Sequence, residues 1–202
     1  MSYTAESAIS YTQYMANNGF VAVTAQYSNA VYPLTCNAFL GKADQLWNQN
    51  TANSLLSNIC NNPSLNVNCQ RGIVTSGMSQ GAQLASLAAT YNGEQISGMY
   101  LMGGGDRLNF NGLPFNFANC LSFPFLNIAA NRIRSMVGEN DGYFGQNMNG
   151  VRTQQNSISG TVCEGDATNC IQGTVGSGGG YGWYIVQGFQ TESGTAPHCY
   201  AY

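Results

Sequence analysis

Charge is what this chain has least of. Asp, Glu, Lys and Arg make up 7% of its 202 residues, and the formal net charge is −3. Six basic residues form no electropositive footprint, which argues against a nucleic-acid partner and against attachment to an anionic membrane. No apolar run approaches the roughly 20 residues that cross a bilayer. Histidine is reduced to a single residue, His198, and no two of the seven cysteines form Cys-x-x-Cys. A zinc centre is therefore not expected, and neither a metal nor an organic cofactor is implied. The glycine runs at 103–105 and 176–180 match neither the dinucleotide fingerprint nor the Walker pattern, so they read as loops at strand ends. Residues 1–15 have neither the basic start nor the apolar core of an export signal.

What is present is a foldable chain. Hydrophobic residues are 44% of the total, and polarity comes from Asn, Gln, Ser, Thr and Tyr. That balance and the length fit one domain spanning 1–202. Cysteines stand at 36, 60, 69, 120, 163, 170 and 199. Cys60 and Cys69 bracket one short loop and Cys163 and Cys170 another, which reads as two local disulfides and an oxidising, extracytoplasmic or secreted setting. Cys199, beside His198, is a candidate partner for Cys120, and this leaves Cys36 over.

Hydrophobic periodicity predicts a helix over 5–18 that stops at Asn17-Asn18-Gly19, then a buried strand over 20–24 (FVAVT). Residues 28–42 read as loop and 44–59 as a second helix. Strands are predicted at 73–75, 96–102 (ISGMYLM), 132–137 and 182–186 (GWYIV), with another helix over 147–157. Helix or long loop separates successive strands, which predicts an α/β fold with a mainly parallel sheet flanked by helices. Residues 103–125 include Phe110, Phe115, Phe117, Phe123 and Phe125. They form either a small cap whose Phe115 and Phe117 line an apolar substrate pocket, or aromatic filler under an irregular loop.

The chemistry centres on RGIVTSGMSQGAQLASLAAT, residues 71–90. A short apolar strand meets Gly77-Met78-Ser79-Gln80-Gly81, and a helical pattern follows. Flanking glycines let strand and helix approach closely, and the serine at the apex is presented to solvent. Ser79 is the candidate nucleophile. A serine of this kind needs a base, and His198 is the only histidine, in a loop after the last strand. The acid that orients it is Asp141, directly after the strand at 132–137, with Asp166 inside the Cys163–Cys170 loop as the alternative. Glu139 and Asp106 are further strand-end acids.

Taken together these residues resemble the α/β-hydrolase superfamily of serine esterases and lipases. GFVAVTAQYS is similar to its fourth strand, GMSQG to its nucleophile elbow, RIRSMVGENDGYFG to its seventh strand with the acid, and the His198 loop to its histidine loop. The resemblance implies Ser79 as nucleophile, Asp141 as acid, His198 as base, and the Gln80 backbone N–H as an oxyanion donor. It implies an ester substrate, a small molecule or a polymer. GMSQG and VCEGDATNC are also similar to cutinases and acetylxylan esterases, which would promote Asp166 to the acid. The family places a third strand between the fourth and the elbow strand. No segment here matches it, which predicts a domain lacking its first strands and incomplete at the N-terminus. A domain of the same fold that binds without catalysis is the alternative from another class.

Overall fold

A computed structural model of the chain describes residues 5–28, 31–104, 107–110, 113–121, 128, 132–138, 140–143, 162–164 and 182–186. The chain begins with helix α1 (Ala5–Asn17). Helices α2 (Cys36–Trp47) and α3 (Leu55–Cys60) follow, and strand β1 (Ile73–Met78) runs into α4 (Gln80–Ser86) and α5 (Ala88–Asn92). Strand β2 (Ile96–Met102) precedes the hairpin of β3 (Arg107–Phe110) and β4 (Leu113–Asn116). Strands β5 (Ile133–Gly138), β6 (Val162–Glu164) and β7 (Gly182–Val186) complete the described chain.

Five of these strands make one parallel sheet in the order β1-β2-β5-β7-β6. This is the α/β arrangement that the alternation of elements predicts. Alternating residues of the sheet meet different surroundings. Met99, Leu101 and Ile133 are buried together with Ala82, Ala85, Ala88 and Ala89 of the α4–α5 segment. Alanines on that side let the helices lie close to the strands, and the Thr75 hydroxyl donates to the carbonyl of Ala85 at 3.2 Å. On the other side of the sheet, Tyr11 of α1 donates to Ser76 at 3.0 Å, whereas Val74 remains exposed.

The α4 segment is packed on its second side as well. Leu84 and Leu87 join Phe39, Ala43 and Leu46 of α2, with Phe117 and Cys120, in a second buried cluster. Hydrogen bonds fix the layers: Trp47 Nε1 donates to Leu84 O at 2.8 Å and Tyr91 Oη to Leu40 O at 3.0 Å. Phe117 sits at the centre of this cluster, 5.0 Å from the Phe39 ring, and half-buried Phe115 stacks on Phe39 at 5.8 Å. Both phenylalanines therefore pack against the α2 layer.

Three expectations need correction. Residues 20–24 form no strand, and Phe20, Val21 and Val23 are exposed. A strand needs a ladder partner, and β1 pairs only with β2 among the described residues, so apolar composition alone did not make one. The single helix over 44–59 is two helices, the first beginning at Cys36 where a loop was expected. Thr35 caps α2 by accepting from Ala38 N, and Ser54 caps α3 by accepting from Ser57 N. Between them Asp44 accepts from the Asn48 side-chain amide at 2.7 Å and the Thr51 hydroxyl at 2.9 Å, and Asn53 takes a left-handed φ of 64°. Short polar side chains there outcompete the helix for hydrogen bonds.

The third correction concerns cysteine. Cys120 is bonded to Cys36, not to Cys199, and Cys60 pairs with Cys69 as expected. Both bonds are consistent with an extracytoplasmic protein. Cys170 and Cys199 lie outside the described residues, as does the helix expected over 147–157. No helix among the described residues is long and apolar enough to cross a membrane.

The two disulfides close loops of very different size, with sequence separations of 84 and 9. Chain entropy assigns about 4.5 kcal/mol to the long closure and about 2.7 kcal/mol to the short one. Replacing Cys36 and Cys120 together by Ala is expected to lower the urea midpoint well below that of the Cys60/Cys69 double variant. Equal midpoints would show that loop closure does not set their contributions.

Candidate active site

Ser79 occupies the single residue between β1 and α4. Its backbone has φ 53° and ψ −121°, a combination that side-chain-bearing residues rarely adopt. The turn is fixed from all sides. Ser79 N–H donates to Met102 O at 2.9 Å, and its carbonyl accepts from Ala82 N at 3.0 Å and Gln83 N at 3.3 Å. The Ser79 side chain does not cap α4.

The glycines follow from that geometry. A Cβ on Gly77 would lie 2.2 Å from the carbonyl oxygen of Gly81, so β1 and α4 could not approach as they do. Gly104, just beyond β2, is constrained similarly, because its Cβ would meet Ala82 Cβ at 2.7 Å. Glycine at these positions is the steric condition for the turn.

Met78, Met102 and Met136 are in register across β1, β2 and β5. Ser79 is one residue past this line and Asp141 five residues past it, so both leave the sheet at its C-terminal edge. At about 4.8 Å per strand, β1 and β5 are roughly 10 Å apart. Asp141 is 1% exposed. Its N–H donates to Gly138 O at 3.1 Å, and its Oδ1 accepts from Tyr143 N at 3.0 Å, an Asx-type turn that sets the carboxylate's direction.

His198 and Asp166 lie outside the described residues. The strands leading toward them end at the same edge: Val186 of β7 is in register with Gly138 of β5, and Glu164 of β6 with Ile185 of β7. In sequence, Asp166 follows Glu164 by two residues and His198 follows Val186 by twelve. The sheet thus places Ser79 and Asp141 on the rim where β6 and β7 also end, the edge at which open parallel sheets bind ligands.

Beside the elbow stands a polar cluster that sequence reasoning missed. Gln80, largely buried, accepts through Oε1 from Lys42 Nζ at 3.2 Å. Lys42 also donates to Ser28 O at 2.7 Å and Val31 O at 3.4 Å, and its ammonium lies 5.8 Å from the centre of the Tyr27 ring. One turn along α4, buried Gln83 accepts from the Tyr32 hydroxyl. Burial pushes the Tyr27 and Tyr32 phenols above their ordinary value and the Lys42 ammonium below its own. Lys42 is the chain's sole lysine. That singularity, with two glutamines in an otherwise small and apolar helix, was the available signal.

Comparison with family models, curated proteins and solved structures gives no match for this chain.

The steric account predicts opposite outcomes for two glycines. Gly77→Ala is expected to destabilise by about 3 kcal/mol or more, because the clash is with backbone that cannot yield. Gly41→Ala, in the interior of α2 with nothing within 4 Å of the added carbon, is expected to stabilise by about 0.5–1 kcal/mol. Urea denaturation of the two variants checks both signs.

Proposed function

We propose that the protein is an extracytoplasmic serine hydrolase of the α/β-hydrolase type that cleaves a carboxylic ester. The observation that carries this reading is the backbone of Ser79: a non-glycine residue in a strained conformation at a strand-to-helix turn. Strain of about 1–3 kcal/mol persists only where the surroundings enforce it, and it concentrates at functional sites. A serine that merely linked a strand to a helix would adopt ordinary dihedrals and use its hydroxyl as the helix cap. Ser79 does neither.

In this reading Ser79 Oγ attacks the ester carbonyl while His198 accepts its proton. His198 then protonates the departing alkoxide and an acyl-enzyme remains. Water, deprotonated by His198, releases the acid and restores Ser79. Asp141 holds the imidazole in the required orientation, and the backbone N–H of Gln80 stabilises the oxyanion. The buried, backbone-anchored carboxylate of Asp141 supports its role, because an orienting acid must be immobile. The reading requires no metal or organic cofactor.

A second reading uses Asp166 as the acid in a cutinase- or acetylxylan-esterase-like arrangement. It is supported by β6, which ends two residues before Asp166 at the same rim. In either case the substrate is an ester, small or polymeric.

Labelling with a fluorophosphonate probe tests the proposal against a non-catalytic binding domain. The wild-type chain is expected to carry the adduct on Ser79, and Ser79→Ala is expected not to react. A wild-type chain that stays unlabelled would sink the enzyme reading. Asp141→Asn is expected to lower kcat on an activated ester by about 10³-fold or more, with Asp166→Asn near wild type. The reverse ranking would move the acid to Asp166.

A further inference from the structure

We propose that Lys42 is a positioning residue of the Ser79 site, clamping the backbone at Ser28 and Val31 to the side chain of Gln80 and so fixing Gln80 beside the nucleophile. This rests on the hydrolase reading above and extends it to a residue that the triad does not include.

An ammonium has three N–H donors and no acceptor. Lys42 directs its donors at three acceptors, Ser28 O, Val31 O and Gln80 Oε1, at 2.7, 3.4 and 3.2 Å. Two belong to residues ahead of α2, and the third belongs to the residue immediately after Ser79. Tyr32 adds a second link, donating its hydroxyl to Gln83 one turn further along α4. The Tyr27 ring reinforces the arrangement from the same segment: it lies under the ammonium, and its hydroxyl is 3.4 Å from where a Cβ on Gly81 would stand. The outer segment, the ammonium and the elbow glycine thus form one layer over the turn.

The base of the clamp is rigid. Lys42 is anchored on α2, whose neighbouring residues Phe39, Ala43 and Leu46 are buried against Leu84 and Leu87. The disulfide at Cys36 fixes the start of the same helix. A long, flexible side chain at a solvated position would serve solubility alone. Here a partly buried one bridges three segments at a cost in desolvation, reflected in the lowered affinity of its ammonium for the proton. The chain contains no other lysine, so solubility does not account for it. Displacement of a reacting geometry by about 1 Å costs on the order of 10²-fold in rate. A clamp adjacent to the nucleophile therefore acts on kcat with little effect on substrate binding.

The test uses Lys42→Met, Lys42→Arg and Gln80→Met, with kinetics on p-nitrophenyl butyrate and fluorophosphonate labelling of Ser79. Lys42→Met keeps the apolar stem and removes the donors. It is expected to lower kcat about tenfold or more with KM changed less than about twofold, and to slow labelling in parallel. Lys42→Arg is expected to recover most of the loss, because it keeps charged donors. Gln80→Met is expected to reproduce the kcat loss, and the double variant Lys42→Met/Gln80→Met to be no slower than either single one. Gln80→Met carries the test alone if Lys42→Met does not fold. Wild-type kcat in Lys42→Met or Gln80→Met, a change confined to KM, or additive losses in the double variant would overturn the clamp while leaving the hydrolase reading intact. Failure of the wild-type chain to label at Ser79 would overturn both.

Discussion

The close approach of β1 to α4 is the constraint on which the rest of the structure depends. Two backbones pass within a distance that no Cβ at residue 77 would permit, and the one residue joining them is forced into a left-handed conformation. The turn is held by backbone hydrogen bonds to β2 and to the first turn of α4. Small residues continue the theme: Ala82 touches the space that Gly104 leaves open, and four alanines of the α4–α5 segment lie against the strands. Compactness at this junction is what presents a serine at the rim of the sheet.

The helix behind the turn works in two directions. Its alanine side packs on the sheet and its leucine side packs on α2, Phe117 and Cys120, so α4 is buried over nearly its whole length. Cys36–Cys120 joins the start of α2 to the segment after the β3–β4 hairpin, which makes the outer layer continuous with the sheet. Phe115 and Phe117 belong to this layer through the Phe39 ring. Through α2, the same packing brings Lys42 to the elbow. A single scaffold thus supports both the Ser79 turn and the Gln80 side chain.

How much of this was legible in the sequence depended on whether the determinant was local. The elbow was, because Gly-x-Ser-x-Gly between a β-type and a helical pattern has few other physical meanings. The strands at 96–102 and 182–186 were, since both are short apolar runs bounded by glycine or polar turns. Residues 20–24 look equally strand-like, yet pairing is a non-local property and β1 gives them no ladder. The break at residues 48–54 was present in the sequence as a cluster of Asn, Thr and Ser, but periodic leucines on both sides masked it. Cysteine pairing across 84 residues was open to no local argument, and the bond to Cys36 displaced the expected bond to Cys199. At the site, strand-end logic placed Asp141 at the rim with Ser79. The Lys42 clamp depends on how α2 docks, which only packing determines.

The central claim is that the junction imposes strain on residue 79, and the most direct measurement compares the stability of Ser79→Gly with that of Ser79→Ala. Glycine adopts φ 53° and ψ −121° without steric penalty, whereas alanine retains the Cβ that resists it. The account predicts that the glycine variant is more stable in urea denaturation by about 1 kcal/mol or more, despite glycine's greater entropy when unfolded. A glycine variant no more stable than the alanine variant would contradict it, and would leave the turn at Ser79 an ordinary connection.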